Sequence, residues 1–185
     1  MIRFFDIFFA AFGLLLASPL LALVLLIAWL DTRSPLFLQE RVGRLQNPFV
    51  IVKFRTMTVD TLSVATHLSD PSAVTAFGRI LRETKVDEIP QLWNVIKGEM
   101  SLVGPRPCLF NQESLIAERA RRGVFDARPG ITGLAQIRGI DMSTPVLLAQ
   151  TDELMLKNLN LTQYFRYIFM TIVGVGSPLA NKNIN

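Results

Sequence analysis

From Phe4 to Leu30 the chain is apolar almost throughout, interrupted only by Asp6 and, in the middle, by Ser18-Pro19. Drawn as a helix, such a run rises about 40 Å, enough to cross a hydrocarbon core of about 30 Å. Pro19 withholds one amide hydrogen and frees the carbonyl of Leu15, a costly vacancy in lipid unless another donor serves it. The hydroxyl of Ser18 can bond back to the carbonyl of Leu14 and favour a bend there. Two arrangements stay open: a simple span, or a bent helix that returns to the face it entered. Arg3 precedes the segment while Arg33, Arg41 and Arg44 follow it, so both ends carry the basic signature of the cytoplasmic side. A cleaved signal peptide is not expected, because the start is weakly charged, the apolar run is long and no small-x-small site follows.

Beyond residue 31 the periods are shorter. Leu36 to Arg41 and Phe49 to Arg55 read as β segments separated by Gly43 and Asn47-Pro48, a hairpin or paired extended strands. Lys53 and Arg55 flank Phe54 and therefore share one face, available to phosphate or lipid head groups or simply solvated. Thr58 to Thr75 is polar and reads as a mobile connection able to close over a substrate. Ala76 to Lys85 predicts a short helix with Arg79 and Arg82 as surface neighbours. Pro90 tolerates only a first helical turn, so a helix over Gln91 to Lys97 should follow, stopped by Gly98. Leu109 to Phe125 predicts an amphipathic helix ending near Gly123, with Leu115, Ile116 and Ala120 inward and Arg119, Arg121 and Arg122 outward in solvent. Tyr164 to Val175 is too short to span and suits either the membrane interface or a buried core. The sum is an α+β fold, mainly helical: a membrane helix over residues 1–31 and one domain over 32–185 with short β segments and interfacial amphipathic helices.

Composition narrows the partners. Half of the 185 residues are hydrophobic, and the excess lies in the first segment. The net charge of +4 is spread over short motifs without interleaved aromatics, which argues against a nucleic-acid groove and favours anionic lipid heads and substrate phosphates. Cys108 and His67 are the only residues of their kinds, so an intrachain disulfide is excluded and a zinc site of usual ligands is not expected. His67 belongs in a solvated loop, Cys108 in packing, and the body on the cytosolic side.

The candidate chemistry lies in Asp87-Glu88, at the mouth of the helix that Pro90 opens. An irregular entry would let both carboxylates turn to one point, hold a hard cation such as magnesium and present one oxygen to phosphorus. The plainer alternative is that Asp87 caps the helix and Glu88 complements its dipole. Arg106, between Pro105 and Pro107, has neighbours of restricted φ, which would hold its guanidinium for bidentate phosphate contact or leave it as a surface turn residue. Gly130 and Gly133 serve either close backbone approach or turns.

Residue for residue, the block Thr84-Lys85-Val86-Asp87-Glu88-Ile89-Pro90-Gln91-Leu92-Trp93-Asn94 through Gly104-Pro105-Arg106-Pro107 resembles the small monotopic phosphoglycosyl transferases, the bacterial sugar transferases that start polyprenyl-linked glycan assembly. Gln39-Glu40-Arg41-Val42-Gly43, Lys53-Phe54-Arg55-Thr56-Met57 and Arg128-Pro129-Gly130-Ile131-Thr132-Gly133-Leu134-Ala135-Gln136 extend the resemblance over most of the chain. It implies a helix made re-entrant at Ser18-Pro19, a catalytic domain on the cytoplasmic face of the inner membrane, Asp87 as nucleophile and Glu88 as its partner. It further implies magnesium on that pair, Arg82 as an active-site arginine, and Lys53, Arg55, Pro105, Arg106 and Pro107 as a substrate surface. The implied reaction moves a sugar 1-phosphate, N-acetylated by family expectation, from a UDP-sugar to a polyprenyl phosphate such as undecaprenyl phosphate, releasing UMP. Membrane lipids are expected partners, nucleic acid is not, and a homo-oligomer is left open. One departure stands out: the family's arginine after the Pro-Gly-Ile-Thr-Gly motif is replaced by Ile140, and Arg138, two residues earlier on an extended chain, would return a charge to the same face. Competing readings are a non-catalytic anchored module that binds phosphorylated sugars or lipids, and an anchored metal-dependent phosphohydrolase.

Overall fold

The computed structural model describes residues 1–59 and 71–174; His67 and most of the expected connection between Thr58 and Thr75 lie outside them. The apolar run forms one helix, α1 (Ile2–Thr32), with Pro19 inside it. By length and composition it is apolar enough to cross a membrane. The hydroxyl of Ser18 donates to the carbonyl of Leu15 at 2.8 Å rather than to Leu14, so it serves the oxygen that Pro19 leaves without an amide. At its end Arg33 turns into the left-handed region, its N–H bonds Trp29 O, and its guanidinium lies 4.5 Å from the Trp29 ring.

One face of α1 is covered along its whole length. Arg3, Asp6, Ala10, Gly13, Ala17, Leu21, Val24 and Ala28, spaced by three or four, are all buried or half-buried, while most of the intervening side chains are exposed. The first half lies on α3 (Leu92–Lys97), where Ala10 joins Phe49, Ile51, Val95 and Met100. A side chain at Gly13 would approach Leu92 Cδ1 to 3.2 Å. The second half lies against α2 (Ala76–Thr84), Val24 packing with Phe54 and Leu81. Polar ties fasten both ends. Arg3 donates to Val95 O at 2.6 Å and Met100 O at 3.1 Å, and the hydroxyl of Thr75, the N-cap of α2, donates to Asp31 at 2.7 Å.

The expected hairpin is present: β1 (Leu36–Val42) pairs antiparallel with β2 (Pro48–Phe54), Phe37 opposite Lys53 and Arg41 opposite Phe49. The end of β2 continues to an isolated bridge between Met57 and Val74, which brings the two flanks of the undescribed segment together. Short parallel strands β3 (Ser101–Val103) and β4 (Gly130–Thr132) form a second ladder. The helix expected over Leu109 to Phe125 is shorter, α4 (Glu113–Arg121), followed by a 3-10 turn at Val124–Asp126. After α5 (Leu134–Ile137) come α6 (Pro145–Lys157), which the sequence reading did not anticipate, and α7 (Leu161–Ile172). Tyr164 and Tyr167 of α7 are buried with Val103 and Met155, while Phe169 and Ile172 are exposed, so this helix serves the core with one side and leaves an apolar side outward.

Candidate active site

The period of two on β2 decides what faces the site. Phe37, Gln39, Arg41, Phe49, Ile51 and Lys53 share the inner face of the hairpin, laid against the 3-10 turn Val86–Gln91 that carries Asp87 and Glu88. Lys53 and Arg55 do share a side, their cationic groups lying 5.1 and 5.4 Å from the Phe37 ring. Arg55 is nevertheless occupied by the strand entry, donating to Ser34 O at 2.9 Å and Ser34 Oγ at 3.2 Å. Lys53 faces the carboxylates. Burial lowers its pKa to about 8, opposed by Asp87 and reinforced by Arg106 and Arg41.

The helix expected at Gln91 begins as that tight turn with Pro90 inside it, and α3 proper starts at Leu92. In the turn Asp87 is buried and Glu88 is half-buried. Burial, and then the charge of Glu88, push the Asp87 pKa up to about 6; Lys53, Arg82 and Arg106 pull the other way. Val86 packs against the cluster formed by Val24 of α1, Phe54 and Leu81, so the acidic pair lies beside the second half of α1. Arg82 is brought in by α2, whose Gly78 abuts the backbone of Thr56: an added Cβ would lie 2.1 Å from Thr56 O. One turn on, Arg82 Nε donates to Thr56 Oγ1 at 2.8 Å.

Arg106 meets Glu88 at 3.0 Å and keeps 45% of its side chain open, so its raised pKa is chiefly the pull of Glu88. Its loop is held from behind. Gly104 and Gly130 meet backbone to backbone, a Cβ on Gly130 falling 2.0 Å from Gly104 N, and the Gly130 N–H donates to Pro105 O at 2.9 Å. Gly133 lies against Gly104 O. Close approach is thus the use of these glycines. Arg119 Nη1 donates to Arg106 O at 2.8 Å, Arg41 Nη1 to Pro107 O at 3.2 Å, and the Val42 N–H to Cys108 O at 2.9 Å. Arg119 is not solvated as expected. It is 1% exposed and donates twice to Asp152 of α6, at 3.0 and 2.7 Å. Arg122 is likewise drawn in, pairing with Glu118 and Glu153, and only Arg121 is outward. Leu115 and Arg119 are four apart and share a face, a spacing that could have exposed the error.

The chain matches the model of the bacterial sugar transferase family over residues 1–177. It belongs to that family. It is 45% identical over 145 residues to a UDP-glucose:undecaprenyl-phosphate glucose-1-phosphate transferase of Caulobacter vibrioides, covering 75% of this chain and 54% of that one. It is 41% identical over 138 residues to the uncharacterized sugar transferase EpsL of Bacillus subtilis, with 74% and 68% covered. A putative undecaprenyl-phosphate N-acetylgalactosaminyl 1-phosphate transferase of the same organism is 43% identical over 109 residues, with 57% and 60% covered. The chain therefore spans between about half and two thirds of the length of these relatives.

In this bacterial sugar transferase Lys53, Arg82 and Arg106 gather around Asp87 and Glu88, with Pro105 and Pro107 flanking Arg106 in its loop, whereas Arg138 does not join them. The segment after Gly133 is a helical turn rather than an extended chain: Arg138 sits exposed at its end, Gly139 has φ 67°, and Ile140 packs on the core with Leu115 and Leu148. The return of Arg138 to the face of Ile140 therefore fails, since two residues on a helix turn the side chain away. Residues that the sequence reading passed over are Thr56 and Gly78, which seat Arg82, and Arg41, Arg119 and Asp152, which seat Arg106.

Proposed function

We propose that this chain transfers a sugar 1-phosphate from a UDP-sugar to a polyprenyl phosphate by way of a covalent intermediate on Asp87. The observation that carries the reading is the buried Asp87, held near the pH of the cytoplasm and ringed by Lys53, Arg82 and Arg106. A carboxylate so placed is ionised at neutral pH yet poorly solvated, which suits a nucleophile toward phosphorus. An oxygen of Asp87 attacks the sugar-bearing phosphorus of the donor. The bond from that phosphorus to the bridging oxygen breaks, and UMP leaves with the electron pair. A phosphate oxygen of the lipid acceptor then attacks the same phosphorus and frees Asp87. Arg106, clamped to Glu88 and to its own loop, is positioned to bind phosphate oxygens as a planar fork, and Lys53 and Arg82 add charge from the other sides.

Asp87 and Glu88 fit magnesium, which takes one or two carboxylates and completes its shell with water and substrate phosphates. No group of three or more His, Cys, Asp or Glu side chains suited to a metal occurs among the described residues. Bound there, the ion would neutralise charge on the diphosphate. The names of the Caulobacter and Bacillus relatives support undecaprenyl phosphate as acceptor; glucose and an N-acetylated sugar are both represented among them.

We place the domain on the cytoplasmic face of the inner membrane as a monotopic protein. Arg3 and Asp31, at opposite ends of α1, both bond to the same body, while Leu15, Leu16 and Leu20 beside Ser18-Pro19 are exposed, which supports a re-entrant helix over a span. The test is donor incubation without acceptor. Expected are a sugar phosphate on the protein and a burst of about one UMP per site, both lost in Asp87→Asn. Turnover with no adduct would leave direct attack by the lipid phosphate, and water-driven release of sugar phosphate would make the protein a phosphohydrolase.

A further inference from the structure

Two buried arginines hold the Pro105-Arg106-Pro107 loop by its carbonyls, but they are balanced differently. Arg119 lies against Asp152 at 2.7 Å, a fully buried ion pair. Arg41 is 8% exposed and forms no ion pair among the described residues: Nη1 reaches Pro107 O, Nη2 reaches the neutral amide oxygen of Gln39, and Nε is buried with no partner. A buried charge left uncompensated is among the more expensive features a fold can carry. Its surroundings deepen the imbalance. Burial, and then Arg106, lower its pKa to about 10, and it depresses Lys53 in turn. Lys53, Arg82 and Arg106 act on Asp87, Glu88 is already committed to Arg106, and Arg41 stands behind them, in repulsion with Arg106 and Lys53 and with no carboxylate of its own among the described residues.

We infer that Arg41 is a further anion-binding residue of this site, a guanidinium whose charge is balanced by the diphosphate of the nucleotide donor. This rests on the reading of Asp87 and Glu88 as a phosphoryl-transfer centre. A nucleotide-sugar diphosphate carries one ionised oxygen on each phosphorus and so brings negative charge to the side of the site where Arg41, Lys53 and Arg106 repel one another. Because Arg41 is buried, its field is weakly screened and reaches the phosphates without direct solvent access. The competing role is a staple that only fixes the Pro107 carbonyl.

The experiment titrates inorganic pyrophosphate into the full chain in lipid nanodiscs, without metal, for wild type, Arg41→Lys and Arg41→Met. A charge-bearing role predicts that Arg41→Met loses at least about tenfold in affinity while Arg41→Lys stays within about threefold of wild type, since Lys keeps the charge and loses the fork. Thermal unfolding without ligand should show Arg41→Met no less stable than wild type, because an unbalanced charge has been removed. Equal loss in both variants would reduce Arg41 to a staple. Wild-type affinity in Arg41→Met, or no pyrophosphate binding by wild type, would equally overturn the inference. Absence of UMP release from UDP-sugars with pyrophosphate binding intact would sink the proposed reaction and leave Arg41 as an anion-binding residue.

Discussion

The hydroxyl of Tyr164 donates to the carboxylate of Asp6 at 2.9 Å, joining the first turns of α1 to α7. Ser101 Oγ and the Leu102 N–H donate to the same buried group, and Arg3 lies 3.8 Å away. Asp6 interrupts the apolar run because it is the acceptor on which the start of the helix, β3 and α7 converge. Asp6→Leu should cost about 3 kcal/mol or more, since it strands three buried donors, and Tyr164→Phe only about 1 kcal/mol. Thermal unfolding in detergent would measure both; equal small losses would show the convergence to be incidental.

Topology is testable with cysteines, because the one native cysteine, Cys108, is buried and silent. A membrane-impermeant maleimide should reach both Phe4→Cys and Glu40→Cys in inverted vesicles and neither in intact spheroplasts. Reaction of Phe4→Cys from the outside would establish a spanning helix.

Asp87 should weaken the fold it serves. Its folded-state pKa lies above the ordinary value, at about 6 against 3.8, so its carboxylate form is penalised above pH 6 and relieved as the pH falls toward 4. Asp87→Asn should therefore be more stable than wild type by about 3 kcal/mol at pH 7.5, measured with chelator present, and the gap should close near pH 4. A constant difference across that range would remove the charge from the explanation.

Arg119 and Asp152 form a closed pair, unlike Arg41. Arg119→Met or Asp152→Leu alone should cost about 3–5 kcal/mol by leaving a buried charge, while the double variant recovers most of it. Additive losses would mean the two do not share an interaction.

Much of this architecture was readable from the pattern of residues. The hairpin, α2, α3 and the two carboxylates of the irregular turn follow from alternation, Pro90 and Gly98, all local signals. What escaped depends on pairing across distance. Asp152 lies 33 residues from Arg119, and nothing within α4 names its partner. The strands β3 and β4 are too short for a period of two to register, and their contact rests on Gly104 and Gly130 meeting face to face. Arg138 stands away from the acidic turn because the residues after Gly133 form a helical turn where the pattern predicts an extended chain.

The seam along α1 has a consequence for how such an enzyme can change. Its residues enter three of the hydrophobic clusters, through Ile2 and Phe5, through Ala10, and through Val24. The membrane segment is therefore not a tether that could be exchanged or clipped to release a working soluble fragment. Removing it would open those cores to water, so the helix and the body form one folding unit, and the body lasts only as long as the helix stays seated on it.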